Sequence, residues 1–231
     1  MTNQLNNQIN PDISIIVAAY NQEKYIGRCL RSLLNQDFPI GSYEVVVVDD
    51  GSTDKTSYAL ELFTDPFDSV IQVKRNDCNM GLPAALNIGI NASRGRYVVR
   101  VDSDDYVNKN FILVLYLFLE TNSQVDAVAC DYLLVDAQEN TIERCYSKEK
   151  PIGCGIMFKK QHLESIGLYD ESFRWHEDKD LRLRFDKLYK IQNIEVPLYR
   201  YRSHDANITK NLSQMEKYNQ SLVEKHSLKV Q

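Results

Sequence analysis

Val48-Asp49-Asp50-Gly51-Ser52-Thr53-Asp54 and Arg100-Val101-Asp102-Ser103-Asp104-Asp105 each set carboxylates directly behind an apolar, β-branched run. One such turn serves local needs, because Asp, Ser and Gly bond their own backbone in loops and at helix starts. Two of them on one rim of a sheet carry a repulsion that a hard divalent cation relieves. Oxygen ligands suit magnesium or manganese, which keep some water and take up a substrate phosphate. A calcium EF-hand loop is excluded, since it needs Gly where Val107 stands and Glu where Leu113 stands. A third acidic group, Glu177, Asp178 and Asp180, precedes Leu181, Phe185 and Leu188 at helical spacing. Carboxylates there stabilise a first helical turn, and the same groups can act as a general base. Tyr169, Phe173 and Trp175 just upstream serve equally as core or as an amphipathic platform.

The elements that must hold these groups follow from the hydrophobic pattern. Ile13 to Ala18 reads as a strand, with Asn21 as N-cap for a helix carrying Ile26, Leu30, Leu33 and Leu34. The alternation repeats with a strand at Tyr43–Val48, a helix from near Thr53, a strand at Val70–Val73, a helix at Leu82–Ala92 and a strand at Tyr97–Val101. Such βα units predict a parallel sheet covered on both faces, with ligands beyond the carboxyl ends of the strands. Both acidic turns fall at those ends. After Asp105 a helix at Phe111–Glu120, a strand at Ala127–Val135 and mixed elements to Tyr201 predict a second half on the same sheet. The expected organisation is a polar extension over residues 1–12, one domain over 13–210, and a helix or mobile tail over 211–231.

Taken together the motifs are similar to those of the family-2 glycosyltransferases over about residues 13–209. They are Val17-Ala-Ala-Tyr-Asn21, Asp49-Asp-Gly-Ser-Thr-Asp54, Asn79-Met-Gly81 with Ala85-Leu-Asn-Ile-Gly89, Asp102-Ser-Asp-Asp105, Gly167-Leu-Tyr-Asp170 and Glu177-Asp178. The resemblance implies an α/β fold of glycosyltransferase A type, a Rossmann-like, mixed but mainly parallel sheet flanked by helices. It divides the domain into a nucleotide-binding half (13–105) and an acceptor-binding half (106–210). It implies that Ala18, Tyr20, Asp50 and Asp102 hold the nucleotide, and that Asp104 and Asp102 ligate a divalent Mn²⁺ or Mg²⁺. Asp178 becomes the catalytic base, with Glu177 and Trp175 at the acceptor. Tyr201-Arg-Ser-His204 resembles an element that closes over the diphosphate, which makes His204 a metal or phosphate ligand; by itself His204 reads as a surface or structural histidine.

The implied activity is inverting transfer of a monosaccharide from a nucleotide diphosphate sugar, UDP-linked, to a saccharide or lipid-linked acceptor. Two other readings stand beside it. A noncatalytic nucleotide-sugar binding module could keep the same fold, because a fold does not establish turnover. A sugar nucleotidyltransferase would need a Gly-rich basic loop after the first strand, where this chain has Tyr20-Asn-Gln-Glu23. Composition narrows the partners. With 231 residues, 43% of them hydrophobic, the chain can bury a substantial core, and a formal charge of -5 gives no basic face for nucleic acid. The five scattered cysteines read as reduced structural thiols. The polar start lacks a signal peptide's apolar stretch, and the longest apolar run, Phe111–Leu119, is far short of the ~20 residues that span a bilayer. The expected location is cytoplasmic, with membrane association at most peripheral.

Overall fold

The computed structural model describes residues 10–67, 69–204 and 212–226. In chain order β1 (Ile13–Ala19), α1 (Ile26–Leu34), β2 (Tyr43–Asp49), α2 (Thr56–Thr64), β3 (Ile71–Arg75), α3 (Leu82–Ala92) and β4 (Tyr97–Arg100) alternate strand with helix. The second half contributes β5 (Tyr106–Val107), α4 (Phe111–Thr121), β6 (Ala127–Val135), β7 (Thr141–Cys145), β8 (Ile156–Lys159), α5 (Lys160–Ser165), α6 (Glu177–Phe185), β9 (Ile191–Arg202) and α7 (Leu212–His226). Among the described residues the strands form one nine-stranded sheet in the order β3-β2-β1-β4-β8-β6-β9-β5, with β7 paired to β6. β3, β2, β1 and β4 are parallel neighbours. β8 opposes both β4 and β6, so β6 and its parallel partner β9 return to the first direction, while β5 and β7 oppose them. This is the mixed but mainly parallel α/β sheet that the resemblance implies, and β3-β2-β1-β4 is the parallel block that the alternation predicts.

Successive strand residues point to opposite faces, and both faces of the central strands are buried. Ile15, Val17, Val45 and Val47 pack with Leu30 and Leu33 of α1 and Phe111 of α4. Ile16 and Val46 pack on the other side with Leu86 and Ile90 of α3 and Leu181 and Phe185 of α6. Helix α3 approaches β1 so closely at Gly89 that a Cβ there would lie 2.6 Å from Ile16 Cγ2. Fully burying one such aliphatic side chain contributes roughly 1.5–3 kcal/mol. The strands therefore carry the stability, and the turns at their ends can carry polar groups. The Asp50 N–H donates to the Ala19 carbonyl at 2.8 Å and the Val101 N–H to the Ile16 carbonyl at 3.0 Å. Both acidic turns thus leave the sheet beside the end of β1.

Two local expectations are corrected. Asn21 does not cap α1, which starts after Tyr25; it sits in the left-handed region (φ 54°). Its side-chain oxygen is taken instead by the backbone N–H groups of Thr53 (2.8 Å) and Asp54 (3.3 Å). α2 starts at Thr56 rather than near Thr53, because Asp54 Oδ1 accepts the Thr56 N–H at 2.9 Å and holds the preceding residues in a turn. The segment expected as helix or tail forms α7 over Leu212–His226, with Leu222 buried. Residues 1–9 of the expected extension, and residues 211 and 227–231 of the tail, lie outside the described residues. Among the described residues no helix is long and apolar enough to cross a membrane. The five cysteines are free, and four of them are buried.

Candidate active site

A cavity of about 620 Å³ opens at the carboxyl rim of β1, β2 and β4 and is closed on its far side by the segment leading into α6. Its size is that of a small-molecule pocket. Ala18, half-exposed Tyr20 and Asp50 line one end. Asp50 is buried and held by three donors: Asn76 Nδ2 (2.7 Å) and the Met80 N–H (3.0 Å) reach Oδ1, and the Gly81 N–H (2.9 Å) reaches Oδ2. Each carboxylate oxygen accepts about two hydrogen bonds, so Oδ2 keeps room for a ligand donor. Its neighbour Asp49 has a local task, bonding the Ser52 N–H and the Ser57 hydroxyl at 3.1 and 2.6 Å.

The second acidic turn is clamped from beneath by β9. The buried Tyr199 hydroxyl donates to Asp105 Oδ2 at 2.8 Å and accepts the Asp102 N–H at 3.0 Å. The Arg202 N–H donates to Asp105 Oδ1 at 2.7 Å. Burial, reinforced by Asp104 and Asp102, pushes the Asp105 carboxyl well above the ordinary carboxylate range. Tyr199 and Arg202 thus hold Asp105 beneath the turn, where its carboxylate, that of Asp102 and the Cys154 thiol lie within 4.8 Å of one another. Asp104 and Asp102 line the cavity. Asp104 Oδ2 lies 2.8 Å from Nε2 of His204, whose ring stacks on Tyr25 with centroids 4.8 Å apart. Asp102 faces Arg100, with Nε to Oδ1 at 2.6 Å and Nη2 to Oδ2 at 3.2 Å.

On the opposite wall α6 begins at Glu177, preceded by His176 in the left-handed conformation (φ 63°). Such backbone in a non-glycine residue is a local strain of about 1–3 kcal/mol that the surroundings must impose. Glu177 is buried, and its Oε1 accepts Arg100 Nη1 at 3.0 Å. Burial pushes its carboxyl up to about 7, opposed by the nearby Arg100 charge and aided by that of Asp178. Asp178 is half-buried, lines the cavity and rests on Gly153, where a Cβ would come within 2.6 Å of Asp178 Cβ. Trp175 lines the same wall, 5.4 Å from Tyr218 of α7 between ring centroids. Its indole N–H is buried with no partner among the described residues.

Ala18, Tyr20, Asp50, Asp102, Asp104, Trp175, Glu177 and Asp178 thus line one cavity, and His204 joins it through Asp104. Sequence reasoning gave no role to Arg100, Gly153, Tyr199 or Asp105. Arg100 had a readable signal: a charged residue closing a strand of Tyr, Val and Val must find a partner if buried. Gly153 and Tyr199 had none, because their roles arise from contacts across distant parts of the chain.

The sequence model of the family described as Glycosyl transferase family 2 matches residues 14–183. An uncharacterized glycosyltransferase of Rickettsia typhi, RT0329, is 29% identical over 231 residues, covering 92% of this chain and 70% of that protein. The poly(ribitol-phosphate) beta-N-acetylglucosaminyltransferase TarS of Staphylococcus aureus is 42% identical over 108 residues, which is 46% of this chain and only 18% of TarS. The crystal structure of TarS residues 1-349 with UDP-GlcNAc superposes with a TM-score of 0.77 at 22% identity, over 92% of this chain and 66% of that one. The mannosyltransferase PcManGT of Pyrobaculum calidifontis, solved with GDP-Man and Mn²⁺, gives a TM-score of 0.76 at 19% identity, over 96% of this chain and 66% of that one.

Proposed function

The chain belongs to glycosyl transferase family 2 and has the glycosyltransferase A fold, and from that premise we propose that it transfers a monosaccharide, with inversion, from a UDP-sugar to a saccharide or lipid-linked acceptor. The observation that carries the reading is the convergence of two chemistries on one cavity: Asp104, paired with His204, on one wall and Asp178 on the other. The Asp104 carboxylate is an oxygen donor of the kind that suits Mg²⁺ or Mn²⁺, and an imidazole nitrogen stands 2.8 Å from it as a further donor. The TarS and PcManGT complexes, with UDP-GlcNAc and with GDP-Man and Mn²⁺, support the same donor class. Asp104 and His204 would hold the metal. Asp102 gives Arg100 one contact on each oxygen and retains capacity for metal or ribose. When bound there, the cation stabilises negative charge on the departing diphosphate as a Lewis acid.

The protein's own groups do the rest. Tyr20 flanks the base, and Asp50 accepts a base N–H through its Oδ2, since its other contacts already fix the carboxylate. Asp178 takes the proton from the acceptor hydroxyl as that oxygen attacks the anomeric carbon from the face opposite the diphosphate. Single displacement inverts the centre. Glu177 and Trp175 flank the acceptor. The test is a panel of nucleotide sugars with Mg²⁺ and Mn²⁺, read by thermal stabilisation and by nucleotide release in the presence of candidate acceptors. UDP release dependent on metal and acceptor is expected. Nucleotide binding without turnover of any donor would return the chain to a binding module.

A further inference from the structure

We infer that Arg100 is a positioning residue that ties the donor side of the cavity to the acceptor side, an inference that rests on the proposed transfer reaction. Its side chain is 9% exposed, and it closes β4 at the floor of the cavity. The guanidinium reaches across the cleft to two carboxylates. Nε and Nη2 grip both oxygens of Asp102, and Nη1 grips Glu177 Oε1 at 3.0 Å. Glu177 is the first residue of α6 and the neighbour of Asp178, so fixing it fixes the turn that presents the base. A second contact runs beside the first. The Arg100 carbonyl accepts the Gly155 N–H at 3.1 Å, holding a turn whose Gly153 lies against Asp178. A Cβ at Gly153 would stand 3.1 Å from Arg100 Nη1 and 2.6 Å from Asp178 Cβ. One side chain therefore sets the donor-side carboxylate, the first turn of α6 and the packing behind Asp178.

Arginine is required for this by shape as well as charge. Its planar fork presents donors in fixed directions, so it can chelate one carboxylate and reach a second; a lysine ammonium is a point charge that cannot span both in this geometry. The nearer carboxylate, two residues along the chain, keeps the lysine charge, and Glu177 is released. Because Arg100 acts through Glu177, the two residues must behave as a unit, and their substitutions must be non-additive. A merely structural ion pair would lower stability and leave turnover per folded molecule alone.

The experiment compares the parent with Arg100→Lys, Glu177→Gln and the double variant. It measures UDP affinity with Mn²⁺ by calorimetry, then acceptor KM and kcat, each corrected for the folded fraction. Misplacing a reacting group by about 1 Å costs up to ~10²-fold in rate. The expected result is a fall of ~10- to 10²-fold in kcat for Arg100→Lys, a UDP affinity changed less than about threefold, and a double variant no slower than the poorer single. Effects that multiply, an unchanged kcat in Arg100→Lys, or a loss of UDP affinity as large as the loss of turnover would each overturn it. If Arg100→Lys does not fold, Glu177→Ala, which leaves Arg100 Nη1 no side-chain oxygen to bond, decides alone: reduced kcat with UDP affinity and acceptor KM intact supports the coupling, and parental kcat or a loss confined to acceptor KM overturns it. A parent chain that neither binds UDP nor turns over a donor sinks the proposed function instead, and the two failures are distinguishable.

Discussion

Asp104 and His204 stand 100 residues apart in the chain and 2.8 Å apart in the fold. Replacing Asp104 by Ala removes the oxygen that the proposed metal site requires and that a methyl cannot supply. Asp104→Ala should keep its fold and lose the Mn²⁺-dependent part of UDP affinity, measured by titrating UDP with and without metal; equal metal enhancement in parent and variant would dismiss Asp104 as a ligand. Glu177 supplies a different kind of test. Its carboxyl lies at about 7 in the folded protein against an ordinary value of 4.5. The folded state thus holds this proton more tightly than the unfolded one, and the stabilisation is full below about 4.5 and lost as pH rises through 7. Glu177→Gln cannot titrate. Melting temperatures across pH 4.5 to 7 should show the parent losing ground to the variant as pH rises, and parallel curves would contradict the assigned direction. Both carboxylates were legible in sequence because they cluster, Asp104 behind an apolar run and Glu177 ahead of a helical stripe. Which member of the first cluster is buried under the turn was not legible, since Asp105 is set apart from Asp104 only by Tyr199 and Arg202 beneath it.

At the scale of elements, α6 is fixed from behind as well as in front. Asp180 is fully buried and bonds Arg184 at 2.9 Å, Lys225 at 2.7 Å and His226 at 2.8 Å. Two of those partners belong to α7, which also sets Tyr218 against Phe173 and Trp175. Removing one member of a buried ionic network leaves the others uncompensated and typically costs about 3–5 kcal/mol. Asp180→Ala should therefore lower the unfolding free energy by that order in a denaturant titration. Lys225→Ala, whose side chain is one-third exposed, should cost ~1 kcal/mol or less. A loss of about 1 kcal/mol or less in Asp180→Ala would show that α7 is not anchored through Asp180. The sequence foresaw α6 from Leu181 and Phe185, but the helix ends at Phe185 and Leu188, the third position of that stripe, is exposed beyond it; α7 was left open between helix and tail, because its anchor is a tertiary ion network and not a periodic stripe. The cap rule failed at Asn21 for a related reason: the loop after β2 claimed its side chain.

Over the whole molecule, the βα alternation made the parallel block β3-β2-β1-β4 legible, and with it the rim on which both acidic turns meet. The antiparallel joins were not legible: β8 and β5 are short, and each pairs with a strand far away in sequence. Those joins bring α6 across from the acidic turns and make a cavity of separate motifs. The proposed reaction divides the labour between the cavity walls, nucleotide and metal on one and proton removal on the other. Asp178→Asn tests that division most directly, because the amide keeps the shape and abolishes the base. UDP affinity with Mn²⁺ and the rate of sugar transfer at saturating donor and acceptor are to be measured on both folded proteins. The account predicts parental UDP affinity in the variant with transfer slowed ~10²- to 10⁴-fold; transfer at the parental rate with normal binding would contradict it.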